Sequence, residues 1–296
     1  MESRNRIWGM DQEFILEVKD SSSKHLDFIF NDLVEKELIH PESKFLEESK
    51  ERTLNTCFQS LYPLAEFTDN FSESYFDFFQ HNSLLFVYAF FLDQSLDSLE
   101  NNPSTRVRSS QISSYLLLNY HEWLIKTDDP NIALSFYKYY SRQADYCIVE
   151  KKWLFPEIYL TIYGSSDKIF MKEILLLFPL QLYRRNLFSL TPYALLENLF
   201  VNYFSFILLA DDLIDLSFDI SHHCLTYPIV KYFELERELP HSHEDMLLMM
   251  PDFVLTLQEF LNNIKKFETE IGQRSLIINN TIDSFKSELR RVGVDL

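Results

Sequence analysis

Apolar residues recur at intervals of three and four along almost the whole chain, as in Leu26, Ile29, Phe30, Leu33 and Val34. That period lines one face of a helix, whereas a half-buried strand alternates every second residue. The pattern breaks mostly at prolines: Pro41, Pro63, Pro103, Pro130, Pro156, Pro192, Pro240 and Pro251 punctuate it. It predicts helices near 11–19, 24–38, 44–62, 72–99, 107–127, 131–150, 156–163, 166–186, 192–217, 225–239, 245–268 and 272–290. Pro179, inside the apolar run FMKEILLLFPLQLY, predicts a kinked helix. No strand alternation competes, and there is no internal repeat or low-complexity tract. The polar breaks NNPSTRVR, TDDPN and ELPHSHED read as surface loops within one domain. The expected fold is a single all-α domain over residues 1–296, built as a helical bundle.

Glycine usage agrees. Four glycines in 296 residues leave little for the tight turns of a sheet-rich fold. The phosphate-cradling loops GxGxxG and GxxxxGK are absent, which argues against Rossmann and P-loop nucleotide binding. Aromatic residues, 27 Phe and 16 Tyr, exceed what a minimal core needs. The lining of a wide apolar cavity accounts for them as well as a large core with some exposed rings does.

The formal charge of −18 excludes nucleic acid as an expected partner, since a phosphate backbone requires a basic surface. It also repels a diphosphate, so any such substrate needs bridging cations. Cys57, Cys147 and Cys224 are an odd count without paired spacing and read as reduced thiols. The first residues, MESRNRIWGMDQEF, are too charged for a signal peptide. Apolar runs of around ten residues are too short to span a bilayer. A cytoplasmic protein with no membrane span is the expectation.

Two acidic motifs each close an aromatic, apolar run. SLLFVYAFFLDQSLD ends in Asp93 and Asp97, and FVNYFSFILLADDLID ends in Asp211, Asp212 and Asp215. Residues four apart share a helical face, so each motif presents two carboxylates on one side. Carboxylates beside an apolar wall are costly unless a cation or a wet cavity lies between them. An all-oxygen ligand set selects Mg²⁺, Mn²⁺ or Ca²⁺, and Mg²⁺ characteristically shares its shell with substrate phosphates. The pattern points to diphosphate chemistry in an apolar helical pocket.

The second motif continues as DDLIDLSFDISHHCLTYPIVKY, residues 211–232. This resembles the second aspartate-rich region of the trans-type isoprenyl diphosphate synthases: DDxxD, an Asp-Leu pair, then Gly-Lys-x-Thr-Leu-Pro. Asp219-Ile220 stands at the Asp-Leu pair, and Leu225-Thr226-Tyr227-Pro228-Ile229 at the end of the signature. The resemblance covers roughly residues 80–235 and is specific at this motif. It implies a class I isoprenoid synthase fold with a central apolar cavity and a cluster of three Mg²⁺ at its mouth. Asp93, Asp97, Asp211, Asp212 and Asp215 would hold the metal, with Asp93, Asp97, Asp211 and Asp215 carrying catalysis. Arg106 and Arg108, in the loop after the first motif, stand near the family's arginine pair. Lys172 precedes an apolar helix where the family has Lys-Thr, so these three cations are the implied diphosphate ligands. Phe86, Tyr88, Phe90 and Phe204 lie within two turns upstream of the aspartates, where an allylic prenyl tail would lie. Phe86 and Phe90 share the face of Asp93, and their bulk favours a short prenyl chain. The resemblance also implies a homodimer.

The departures separate three readings. The family's early Gly-Gly-Lys-Arg-x-Arg-Pro segment, which binds isopentenyl diphosphate, has no clear counterpart; Lys50 and Arg52 of KERTL are the nearest remnant. Provision for a single diphosphate suits a terpene synthase, which ionises one allylic diphosphate and cyclises or rearranges the cation. The TYPI signature suits a divergent prenyl diphosphate synthase. Gln94 in place of an acid, and His223-Cys224 in place of Gly-Lys, suit a non-catalytic partner subunit. His222-His223 and the run His241-Ser242-His243-Glu244-Asp245 lack HExxH spacing and read as solvated loop. No GxSxG elbow or Cys-His signature suggests nucleophilic catalysis.

Overall fold

The computed structural model describes residues 12–40, 44–68, 73–96, 103–126, 131–132, 134–137, 156–157, 160, 174–185, 189–222 and 224–296. Among these residues there are helices and the turns that join them, and no strand. The helices are α1 (Gln12–Glu35), α2 (Lys44–Ser60), α3 (Pro63–Glu66), α4 (Glu73–Leu96), α5 (Pro103–Lys126) and α6 (Ile174–Arg185). They continue as α7 (Tyr193–Ile214), α8 (Leu216–His222), α9 (Tyr227–Glu236), α10 (His243–Met246), α11 (Met250–Ile271) and α12 (Leu276–Arg291). The all-α expectation holds for them.

Two helix pairs dominate the packing. α4 lies along α5, and α7 lies along α11, with α12, α6, α9 and α8 also resting on α7. α6 touches both α4 and α7, and α2 ties α4 to α12. The reason is apolar periodicity. On α11, Phe253, Leu257, Leu261 and Ile264 are buried at four-, four- and three-residue steps. Each such side chain contributes ~1.5–3 kcal/mol on leaving water. α7 is more apolar still, burying Leu196, Leu199, Phe200, Tyr203, Phe204 and Phe206 on several faces.

α7 is also long and apolar enough to cross a membrane by length and composition alone. The expectation from run length missed this because Asn202 and Ser205 interrupt the run without lowering its average much. In the fold, half of its most apolar stretch is buried and five other helices rest on it. Asn263 of α11 donates to Asn202 at 3.0 Å, and the Tyr203 hydroxyl donates to the Gln59 carbonyl at 2.7 Å. These bonds satisfy polar groups that burial would otherwise penalise.

Several boundaries differ from the periodicity. α1 runs unbroken through Ser21, Ser22 and Ser23, and Ser22 is fully buried. α5 begins at Pro103, because proline at the first helical position has no N–H to lose. The helix expected over 245–268 divides into α10 and α11, with Pro251 in the first turn of the second. α11 ends at Gly272, whose φ of +75° is the left-handed conformation glycine adopts without strain. α6 passes through Pro179 as one helix. The helices expected over 131–150 and 156–163, and Cys147, fall largely or wholly outside the described residues.

A buried polar clasp joins the ends of this arrangement. Glu66 of α3 is 1% exposed and sits at the amino terminus of α12. Its carboxylate accepts from the Ser275 hydroxyl, from Leu276 N at 2.7 Å and from Ile277 N at 3.3 Å. Glu268 of α11 accepts from Ser275 N and from the Asn279 side chain, both at 2.8 Å. Helix amino termini carry unpaired N–H groups and a positive dipole end, so two acids there are favourably placed.

Candidate metal and diphosphate site

α4 and α7 both end at an acidic motif. Asp93 lies in the last turn of α4, while Asp211 and Asp212 lie in the last turn of α7, with Asp215 as its C-cap. Neither last turn contains a basic residue. A helix carboxyl terminus carries a partial negative charge, so acids there are in the less favourable field, by ~0.3–1 kcal/mol each at an exposed site. Such an arrangement calls for positive charge.

The two helices start from one hub. Phe78 of α4 is 6.0 Å from the ring of Tyr183 on α6, whose hydroxyl is 3.0 Å from that of Thr68. The adjacent Phe67 lies 6.1 Å from Phe200 of α7. At 1.5 Å per residue, Asp93 is about 22 Å along α4 from Phe78, and Asp211 about 16 Å along α7 from Phe200. The side chain of Asp93, and the whole of Asp97 and Lys172, lie outside the described residues.

At the end of α7 the carboxylates divide by exposure. Asp211 and Asp215 are exposed, and Asp212 is 8% exposed. The Asp215 amide donates to the Asp211 carbonyl at 3.0 Å, and the Asp219 amide to the Asp215 carbonyl at 2.9 Å. One-turn spacing thus survives the junction into α8, where Asp215 adopts φ −91° and ψ 4°. Asp212 turns inward, and its Oδ2 accepts from the Tyr227 amide at 3.1 Å. Thr226, at the N-cap of α9, makes no side-chain cap, and its buried hydroxyl has no hydrogen-bond partner. Asp212 therefore does for α9 what its own N-cap residue does not. Tyr227, Pro228, Ile229 and Val230 are thereby buried beside the acidic turn.

The exposed stripe extends further than the motif. Phe218 is exposed, and its ring stacks on His222 at 3.9 Å with 21° between planes. Asp211, Asp215, Phe218 and His222 follow steps of four, three and four. That spacing was legible in the sequence; His222 is the last residue of α8 and not part of a loop.

The remaining candidates are placed less uniformly. Arg106 and Arg108 lie within α5 and not in a preceding loop. Residues two apart on a helix point to opposite sides, so the two arginines do not form a single grip. Arg106 is half-buried and Arg108 exposed. Phe86 and Tyr88 are buried on α4, and Phe90 is half-buried with its ring 5.2 Å from Phe91. Phe204 is 1% exposed and packs between Phe200 at 5.7 Å and Tyr203 at 5.4 Å, a core position. A recess lined by Ile220, Leu225, Ile229, Leu239 and Pro240 measures about 10 Å³, hardly room for one water.

Among the described residues no three His, Cys, Asp or Glu side chains gather into a metal cage. An exposed aspartate pair fits Mg²⁺ better than Zn²⁺ or Ca²⁺. Mg²⁺ keeps several waters and takes one or two carboxylates plus substrate phosphates, whereas the others need fuller protein shells. No protein-family model matches this chain, and no curated protein matches it.

Proposed function

We propose that the chain is a class I terpene synthase, which ionises an allylic prenyl diphosphate with Mg²⁺ and cyclises or rearranges the resulting carbocation. The observation that carries the proposal is the pair of exposed carboxylates, Asp211 and Asp215, one turn apart where an apolar helix ends in its own negative field. Asp93, in the last turn of the comparable helix α4, and Asp97 would complete the ligand set, with Asp212 beside them.

Bound Mg²⁺ supplies charge neutralisation for the departing diphosphate. The protein's part is positional. Asp211 and Asp215 fix the metal-bearing end, and Arg106 or Arg108, with Lys172, would add fixed positive charge. Aromatic faces along α4, Phe86, Tyr88 and Phe90, would exclude water from the cation and stabilise it through their quadrupoles. The isoprenoid synthase fold, its central cavity, a homodimer and a cytoplasmic location belong to the same proposal.

The TYPI segment favours a second reading, a divergent prenyl diphosphate synthase. Incubation with Mg²⁺ and geranyl, farnesyl or geranylgeranyl diphosphate, each with and without isopentenyl diphosphate, separates the readings. A hydrocarbon or terpene alcohol from a single substrate is the expected product. A lengthened diphosphate formed only with isopentenyl diphosphate would establish the elongase. Unchanged substrate throughout would overturn both and favour a non-catalytic partner subunit.

A further inference from the structure

The turn between α10 and α11 displays apolar side chains that the core does not use. Leu248 is 90% exposed and Leu247 54% exposed, while their neighbours Met246 and Met249 are buried at 0% and 8%. Leu255, in the second turn of α11, is 62% exposed. The turn is held in shape by its own backbone. Leu247 N donates to the Glu244 carbonyl at 3.2 Å, Met249 N to Met246 at 3.0 Å, and Phe253 N to Met249 at 3.2 Å. Buried methionines on either side pin it to the core. A leucine presented this way loses little freedom when another surface covers it.

The exposed charge nearest it in sequence is mostly negative. Glu236, Glu238, Glu244, Asp252 and Glu259 are exposed on α9, α10, α11 and their connections. Arg237 is the only Lys or Arg between Lys231 and Lys265. An acidic rim repels anionic headgroups, so a bilayer is disfavoured. A second copy, itself at −18, would set like charges against each other.

We propose that the Leu247–Leu248 turn is a docking knob for a different protein, one that offers an apolar socket rimmed by Lys and Arg. The proposal stands whether or not the carboxylate pair at the end of α7 binds metal. A few centrally buried anchors carry most of an interface's affinity, and the charged rim governs partner choice and salt dependence.

The test places a photo-reactive benzoylphenylalanine at position 248 of the full chain, expressed in its native cells. The expected result is one discrete protein adduct, with the cross-linked peptide mapping to an apolar surface flanked by lysines or arginines. With that partner purified, Leu248→Asp weakens binding about tenfold or more. Raising salt from about 50 to about 300 mM weakens the wild-type complex as well. The variant should melt with the wild type, because the side chain it changes is almost fully exposed. An adduct with a second copy, an adduct with lipid, a partner surface without bases, no adduct, or binding unchanged by Leu248→Asp would each overturn the proposal.

Discussion

Replacing Glu66 by glutamine should remove a large part of this protein's pH-dependent stability. Glu66 is almost fully buried between α3 and α12, and burial is the main cause that raises its carboxyl from 4.5 to about 7. The bonds from Ser275, Leu276 and Ile277 pull the other way without cancelling it, and neighbouring Glu268 raises it further. Between these two values the folded protein holds a proton that the unfolded chain has released. Stability contributed by this group is therefore greatest below pH 4.5 and is lost as pH rises through 7. At ~1.4 kcal/mol per tenfold change in proton affinity, the loss between pH 5 and 7.5 is about 2 to 3 kcal/mol. Glutamine keeps the shape and an acceptor oxygen but cannot ionise. The assay is urea unfolding followed by circular dichroism, for both proteins at both pH values. The wild type should lose about 2 to 3 kcal/mol more than Glu66→Gln on going from pH 5 to 7.5. Equal losses in the two proteins would show that Glu66 does not keep its proton over this pH range in the folded state. Glu268, also raised by burial, is present in both and acts in the same direction.

Other substitutions test separate parts of the account. Gly272→Ala forces a Cβ into a left-handed C-cap that has open space around it, so strain alone should lower stability by about 1 kcal/mol in a thermal melt. Asp212→Ala leaves the Tyr227 amide without its carboxylate and should destabilise the protein by about 1 to 2 kcal/mol by urea unfolding. Tyr203→Phe strands the Gln59 carbonyl and should cost about 1 kcal/mol, with no dependence on pH between 5 and 8. Asp215→Asn should lower Mg²⁺-dependent turnover at least a hundredfold while leaving the melting temperature within about 2 °C, since the side chain is exposed.

What was legible in the sequence was what local spacing controls. The apolar period announced the helices, and DDLID predicted two carboxylates one turn apart; Asp211 and Asp215 are both exposed and joined by a backbone hydrogen bond across that turn. What was not legible depended on distant contacts. Nothing near Asp212 in sequence says that it reaches across to Tyr227 and caps α9, because that bond spans fifteen residues. Glu66 gave no signal at all: a lone acid in PLAEF becomes the cap of a helix more than two hundred residues away. Arg106 and Arg108 were placed in a loop because the polar stretch NNPSTRVR looked irregular. Pro103 instead starts the helix, and two residues of helix are enough to send the arginines apart. Phe204 read more readily as core than as cavity lining, and at 1% exposure it belongs to the buried core.

If Asp211 and Asp215 carry Mg²⁺-dependent diphosphate chemistry, release of inorganic diphosphate from farnesyl diphosphate should require Mg²⁺ and fall at least a hundredfold in Asp211→Ala of matched melting temperature. Full release by Asp211→Ala, or none by the wild type with geranyl, farnesyl or geranylgeranyl diphosphate, would contradict that assignment.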